Sequence, residues 1–224
     1  MQCEGQAERC LTALDTPRGR NNVRRRLAKI KGILPMLLLI YGVAAAQDTD
    51  CATAEIGTAR PAACQKTVLV FVTEDAFQGN FGGLAGADAR CQTAARRAGL
   101  PGLFRAWLST SEQPAGTRVV RKDVPYVMPG GVRVADNYLD LTDGRLAHPI
   151  DRTEYGAAVP SPFLARTATA PDGQALTPTC SDWTSRRRYD GGAWGATDSP
   201  SDWSRTGVFP GRCDYLAHLY CLEQ

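Results

Sequence analysis

Thr67-Val-Leu-Val-Phe-Val-Thr73 leads through Gln78-Gly-Asn-Phe-Gly-Gly-Leu84 and Ala85-Gly-Ala-Asp-Ala-Arg-Cys-Gln-Thr-Ala-Ala-Arg-Arg-Ala-Gly99 to Arg105-Ala-Trp-Leu-Ser109. Val68 to Val72 is β-branched and aromatic, too short for a helix, and predicts a strand buried on both faces. From Leu84 the period changes. Leu84, Ala87, Cys91, Ala94 or Ala95, and Ala98 fall three or four apart, the apolar stripe of a helix over residues 85–98 with Cys91 facing the core. Asp88 near its start and Arg96 and Arg97 near its end suit the helix macrodipole, and Gly99 suits the left-handed position before Pro101. Residues 105–109 predict a returning strand with Ala106 and Leu108 on one small apolar face. A core-facing cysteine needs a partner there, and the candidate is Cys221 in the closing run Leu219-Tyr220-Cys221-Leu222.

A strand, a cysteine-bearing helix, an Arg-Ala-Trp-Leu-Ser strand, and Cys213 followed by a Leu-Tyr-Cys-Leu-Glu close together resemble the C-type lectin-like fold. The similarity is greatest to its endostatin-like branch and to uncharacterised bacterial secreted domains of the same build, and it spans residues 66–224. The resemblance implies an α+β domain with a mostly antiparallel sheet, one or two helices and long disulfide-tied loops. It also implies the pairs Cys91 with Cys221 and Cys180 with Cys213, leaving Cys51 and Cys64 as a local staple in an N-terminal extension, residues 47–65. The family's calcium-binding triplets, Glu-Pro-Asn or Gln-Pro-Asp followed by Trp-Asn-Asp, are absent, so no calcium ligand, metal or cofactor is expected.

The cysteine count follows from the N-terminus. Arg24-Arg25-Arg26, an apolar run from Ile33 to Ala46 and the small residues Ala44-Ala45-Ala46 read as an export signal, residues 1–46, too short for a comfortable membrane span. Residues 1–22 are polar and precede a complete signal, so translation is expected to start at Val23. Cleavage after Ala46 leaves six cysteines, an even number suited to disulfides in an oxidising compartment. The formal charge of +3 also shifts: residues beyond 46 carry 18 Lys and Arg against 20 Asp and Glu, a net −2 that argues against nucleic acid.

The middle of the chain is punctuated rather than periodic. Val124 to Val127 and Val132 to Ala135 flank Met-Pro-Gly-Gly and predict a hairpin. Asp136, Asp140 and Asp143 read as Asx turns, with a calcium loop as the alternative. Prolines at 149, 160, 162, 171 and 178 break the chain into long loops, with one strand over 163–169 turned by Asp172-Gly173.

Between Cys180 and Cys213 lie Trp183, Tyr189, Trp194, Trp203 and Phe209, with Arg186-Arg187-Arg188 among them. Trp183 and Trp203 are expected beneath the loop. Arg186, Arg187, Arg188, Tyr189 and Trp194 form the candidate ligand-binding set, with the Trp194 ring left free by Gly191, Gly192 and Gly195. Catalysis is not expected: His148 and His218 are the two histidines, no nucleophile elbow is present, and the mature cysteines pair. The expected function is a non-catalytic recognition domain, secreted or held in a bacterial cell envelope with no stable membrane span. Its expected ligand is a glycan, polyanion or extracellular protein bound without calcium. The alternative is a structural envelope domain with no dedicated ligand.

Overall fold

The computed structural model describes residues 66–207 and 211–224; the expected export segment, the Cys51–Cys64 staple and Phe209 lie outside them. Strand β1 (Val68–Val72) lies inside a curled sheet between β3 (Tyr126–Val127) and the long closing strand β9 (His218–Glu223). Alternation along β1 decides the rest. Val68, Val70 and Val72 enter one core with Tyr220 and Leu222, while Phe71 enters a second with Leu219 and Cys221. A strand apolar at every position is therefore buried on both faces.

Helix α1 (Gly83–Arg97) covers the second core through Ala87, Cys91, Ala94 and Ala95. It ends on a Schellman motif, in which Gly99 at φ 68° donates to the Arg96 carbonyl and Leu100 to that of Ala95. Asp88 departs from expectation. It lies beyond the first turn and reaches across instead, accepting the Ala106 amide at 3.0 Å and the buried Arg118 guanidinium at 2.7 Å. The side chain thus joins α1 to β2 (Phe104–Ala106) and to the short helix α2 (Ala115–Arg118).

Strand β9 is the common partner. It pairs antiparallel with β1 through Val70↔Leu222 and Phe71↔Cys221, and antiparallel with β2 through Arg105↔Leu222 and Ala106↔Cys221. Beside β2 it also pairs parallel with β5 (Leu164–Arg166), through Ala165↔His218 and Arg166↔Leu219. The β1–β3 pairing is parallel as well, while β1 with β9, β2 with β9, β3 with β4 (Arg133–Ala135) and β5 with β7 (Trp194–Ala196) pair antiparallel, so the sheet is mostly antiparallel with two parallel pairings. The expected hairpin forms from β3 and β4, and α3 (Tyr138–Leu141) follows, capped by Asn137 accepting from the Asp140 amide. The strand expected over 105–109 stops at Ala106, and the next residue is Trp107. It is fully buried, 5.3 Å from Trp203 by ring centroids, in the core opposite α1.

Among the described residues two disulfides close the fold, Cys91–Cys221 between α1 and β9 and Cys180–Cys213 at the neck of the long loop. They fit an oxidising environment. Among the described residues no helix is long and apolar enough to cross a membrane.

Candidate functional site

The loop between Cys180 and Cys213 is held at its neck by the disulfide and by two short paired strands, β6 (Gly191–Gly192) and β8 (Gly211–Arg212). Its first residues are unusual. Cys180, Ser181, Asp182 and Trp183 all take positive φ, from 50° to 67°, a left-handed turn built without glycine. Each L-residue there costs on the order of 1–2 kcal/mol, so the surroundings must hold it. The disulfide anchors one end, and the Trp183 indole anchors the other by donating to the Ser109 carbonyl at 2.6 Å while stacked near Phe81. Between them the Asp182 carboxylate accepts the Ser111 amide and hydroxyl, each at 2.8 Å, and the Thr179 hydroxyl at 2.9 Å.

The Ser111 amide, aided by the Ser111 and Thr179 hydroxyls, holds the Asp182 carboxyl below its ordinary value. A depressed folded-state value means that Asp182 contributes stability above the unfolded carboxyl pKa of about 4 and loses it as pH falls through the depressed value. Asp182→Asn removes that contribution. The stability gap between parent and variant should therefore close on acidification below about pH 4, read by urea unfolding across pH. A gap that stays constant would assign the role of Asp182 to geometry alone.

Past Trp183 the chain turns outward. Ser185 and Asp190 join by their side chains, the Arg187 amide donates to the Ser185 hydroxyl, and the Asp190 amide donates to the Arg187 carbonyl. This closed turn presents Arg186, Arg187, Arg188 and Tyr189, all exposed, with Tyr189 reaching 94%. The Cys213 amide donates to the Asp190 carbonyl, which sets the turn against the segment after β8. There Arg212 binds the Asp214 carboxylate and lies 4.4 Å from the Tyr215 ring, and both Arg212 and Arg188 hold the Asp214 carboxyl below its ordinary value. Tyr215 and Leu216 are about half exposed beside it, at 49% and 54%. The surface is basic and aromatic, with the Asp190 and Asp214 carboxylates inside it.

Trp194 does not join this surface. It lies on β7 (Trp194–Ala196), paired with β5, its ring half-buried over Arg166 at 5.2 Å. A side chain on Gly211 would meet the ring at 1.9 Å, so the glycine that makes room for Trp194 lies across the loop, far from those flanking it in sequence. The expectation of a free ring is therefore corrected. Trp183 and Trp203 are both fully buried, but only Trp183 sits by the disulfide; Trp203 packs on Trp107 and Tyr220.

Arg166, not foreseen from sequence, underlies the site. It is fully buried and donates to the carbonyls of Gly211, Arg212 and Tyr215 at 3.4, 2.7 and 3.0 Å. Burial pushes its pKa down to about 10, against the pull of Asp214. Its sequence signal is faint, a lone charge in Leu164-Ala-Arg-Thr-Ala-Thr-Ala170. Asp136, Asp140 and Asp143 do not converge. Asp136 pairs with Arg133, Asp140 accepts the Asp136 amide, and Asp143 accepts that of Arg145. Among the described residues no group of three or more His, Cys, Asp or Glu side chains is placed to hold a metal ion. No protein-family model matches the chain, and a search of curated proteins finds no match.

Proposed function

We propose that residues 66–224 form a C-type lectin-like recognition domain of an exported bacterial protein. On this reading it binds a polyanionic ligand, such as a sulfated glycan, without calcium and without catalysis. The observation that carries the reading is the turn from Arg186 to Tyr189, three exposed arginines and a tyrosine exposed at 94% on a loop braced by a disulfide. Guanidinium groups bind sulfate and carboxylate oxygens in pairs, and an exposed ring adds stacking area. A non-catalytic role is supported by the histidines. His218 is buried with its two ring nitrogens facing the carbonyls of Asp75 and Pro160, and His148 is exposed on a loop. A structural envelope domain is the second reading, favoured by the burial of Trp183 and Trp203 and the covered ring of Trp194.

Heparin binding to the disulfide-bonded protein separates the two. The recognition reading expects affinity of roughly micromolar strength, unchanged by a calcium chelator and weakened by salt. Replacing Arg186, Arg187 and Arg188 together by Ala should weaken it by about tenfold or more, with no change in melting temperature, because exposed side chains contribute little to stability. Absence of binding, or binding indifferent to the triple substitution, favours the structural reading.

A further inference from the structure

Away from the disulfide loop, helix α1 and the chain leaving β1 enclose a cleft of about 280 Å³. Arg90, Thr93 and Arg97 line one wall, spaced three and four apart on a single helix face, and Thr73, Asp75 and Phe77 line the other. The two arginines differ in how they are satisfied. Arg97 donates to the Asp75 carboxylate at 2.8 Å, and the pair is half exposed. Arg90 has no carboxylate partner among the described residues. Its guanidinium lies 4.5 Å from the Phe77 ring centroid and 5.7 Å from that of Phe81, and its Nε is buried without a hydrogen-bond partner.

Aromatic rings hold a guanidinium in place but leave its N–H groups without acceptors, and a buried donor without an acceptor is costly. The cleft thus has a positioned cation that lacks an anion. With Arg97 and Asp75 cancelling, its lining carries one net positive charge, which matches a monoanion. Beside the two threonines, Phe77, Ala89 and Ala94 give the cleft an apolar part. We infer that the cleft binds a small carboxylate with an apolar body, its carboxylate on Arg90 and its hydrocarbon part against Phe77. The planar fork of the guanidinium suits the two carboxylate oxygens.

This site is separate from the Arg186–Tyr189 turn, and the two readings fail independently. The test titrates the disulfide-bonded protein with benzoate, hexanoate and acetate, followed by amide resonances. Benzoate and hexanoate should saturate while shifting Thr93, Ala94 and Arg97, and acetate, without an apolar body, should bind about tenfold more weakly or less. Arg90→Met, which keeps an apolar contact with the rings, should weaken benzoate by about tenfold or more at unchanged melting temperature. Saturating heparin should leave benzoate affinity unchanged. The proposal is overturned if none of the three acids saturates, or if saturation shifts residues elsewhere. Equal benzoate affinity of parent and Arg90→Met overturns it too, and should that variant fail to fold, the resonance map of the parent decides alone.

Discussion

Replacing Cys91 and Cys221 together by Ala should lower the unfolding free energy by about 5 kcal/mol, the largest loss expected from any single bridge in this domain. The bridge spans 130 residues, and the chain-entropy cost of closing a loop rises with its length. The Cys180–Cys213 bridge spans 33, for which the same relation gives about 3.7 kcal/mol. The first loss corresponds to roughly 10–20 °C in melting temperature for a domain of this size. The two variants should also differ in kind. Losing Cys180–Cys213 frees the left-handed turn at Cys180–Trp183 and so loosens the Arg186–Tyr189 surface, whereas losing Cys91–Cys221 leaves that surface intact below the lowered melting point. Thermal unfolding of both double variants checks this. Equal melting temperatures for parent and Cys91→Ala/Cys221→Ala would show that strand pairing alone supplies the constraint.

Arg166→Met should cost about 3–5 kcal/mol, several times the effect of breaking the exposed Arg97–Asp75 pair, which is worth about 0–1 kcal/mol. Replacing a whole buried ion pair by apolar groups is often neutral. Here the partners cannot be replaced. They are the main-chain carbonyls of Gly211, Arg212 and Tyr215, which stay in place when the guanidinium goes. The Arg212 carbonyl keeps the Tyr215 amide, but those of Gly211 and Tyr215 lose the guanidinium, and a buried acceptor left without a donor costs about 1–3 kcal/mol, which decides the sign. Trp194 also loses the cation beneath its ring. Arg166→Lys, a point charge without the planar fork, should fall between parent and Met. Urea unfolding reads all three proteins, and a loss under about 1 kcal/mol for Arg166→Met would mean that water replaces the guanidinium.

The elements that could be read from sequence are those whose own residues decide them. Val68–Val72, the stripe through Cys91 and the Schellman end at Gly99 depend on spacing within a few residues, and each stands where the pattern puts it. Exposure of Arg186–Tyr189 was readable for the same reason, because no apolar period runs through Ser185-Arg-Arg-Arg-Tyr-Asp190. The misreadings all depend on distant residues. Trp194 looked free because its sequence neighbours are glycines, but Gly211 from another strand receives its ring. Nothing within a few residues of Trp107 signals that it packs on Trp203, in the core that also holds Tyr220. Asp88 suggested a helix terminus, whereas the Ala106 amide and Arg118 determine its role. Apart from the neighbouring Thr179, the groups that hold Cys180–Trp183 left-handed come from Ser109, Ser111 and Cys213, out of reach of a local reading.

Every strand that β9 joins precedes it in the chain, by up to 152 residues between the paired Val70 and Leu222. A ribosome therefore releases β1, β2 and β5 well before it supplies the one strand that seals their edges and both cores. Pairings this distant make folding slow and place it after synthesis of β9. Until then Val68–Val72 waits as an apolar, unpaired edge, the kind of segment that recruits neighbouring chains. The growing polypeptide consequently needs an escort, and a nascent chain truncated before His218 is expected to be captured by chaperones or to aggregate rather than to fold.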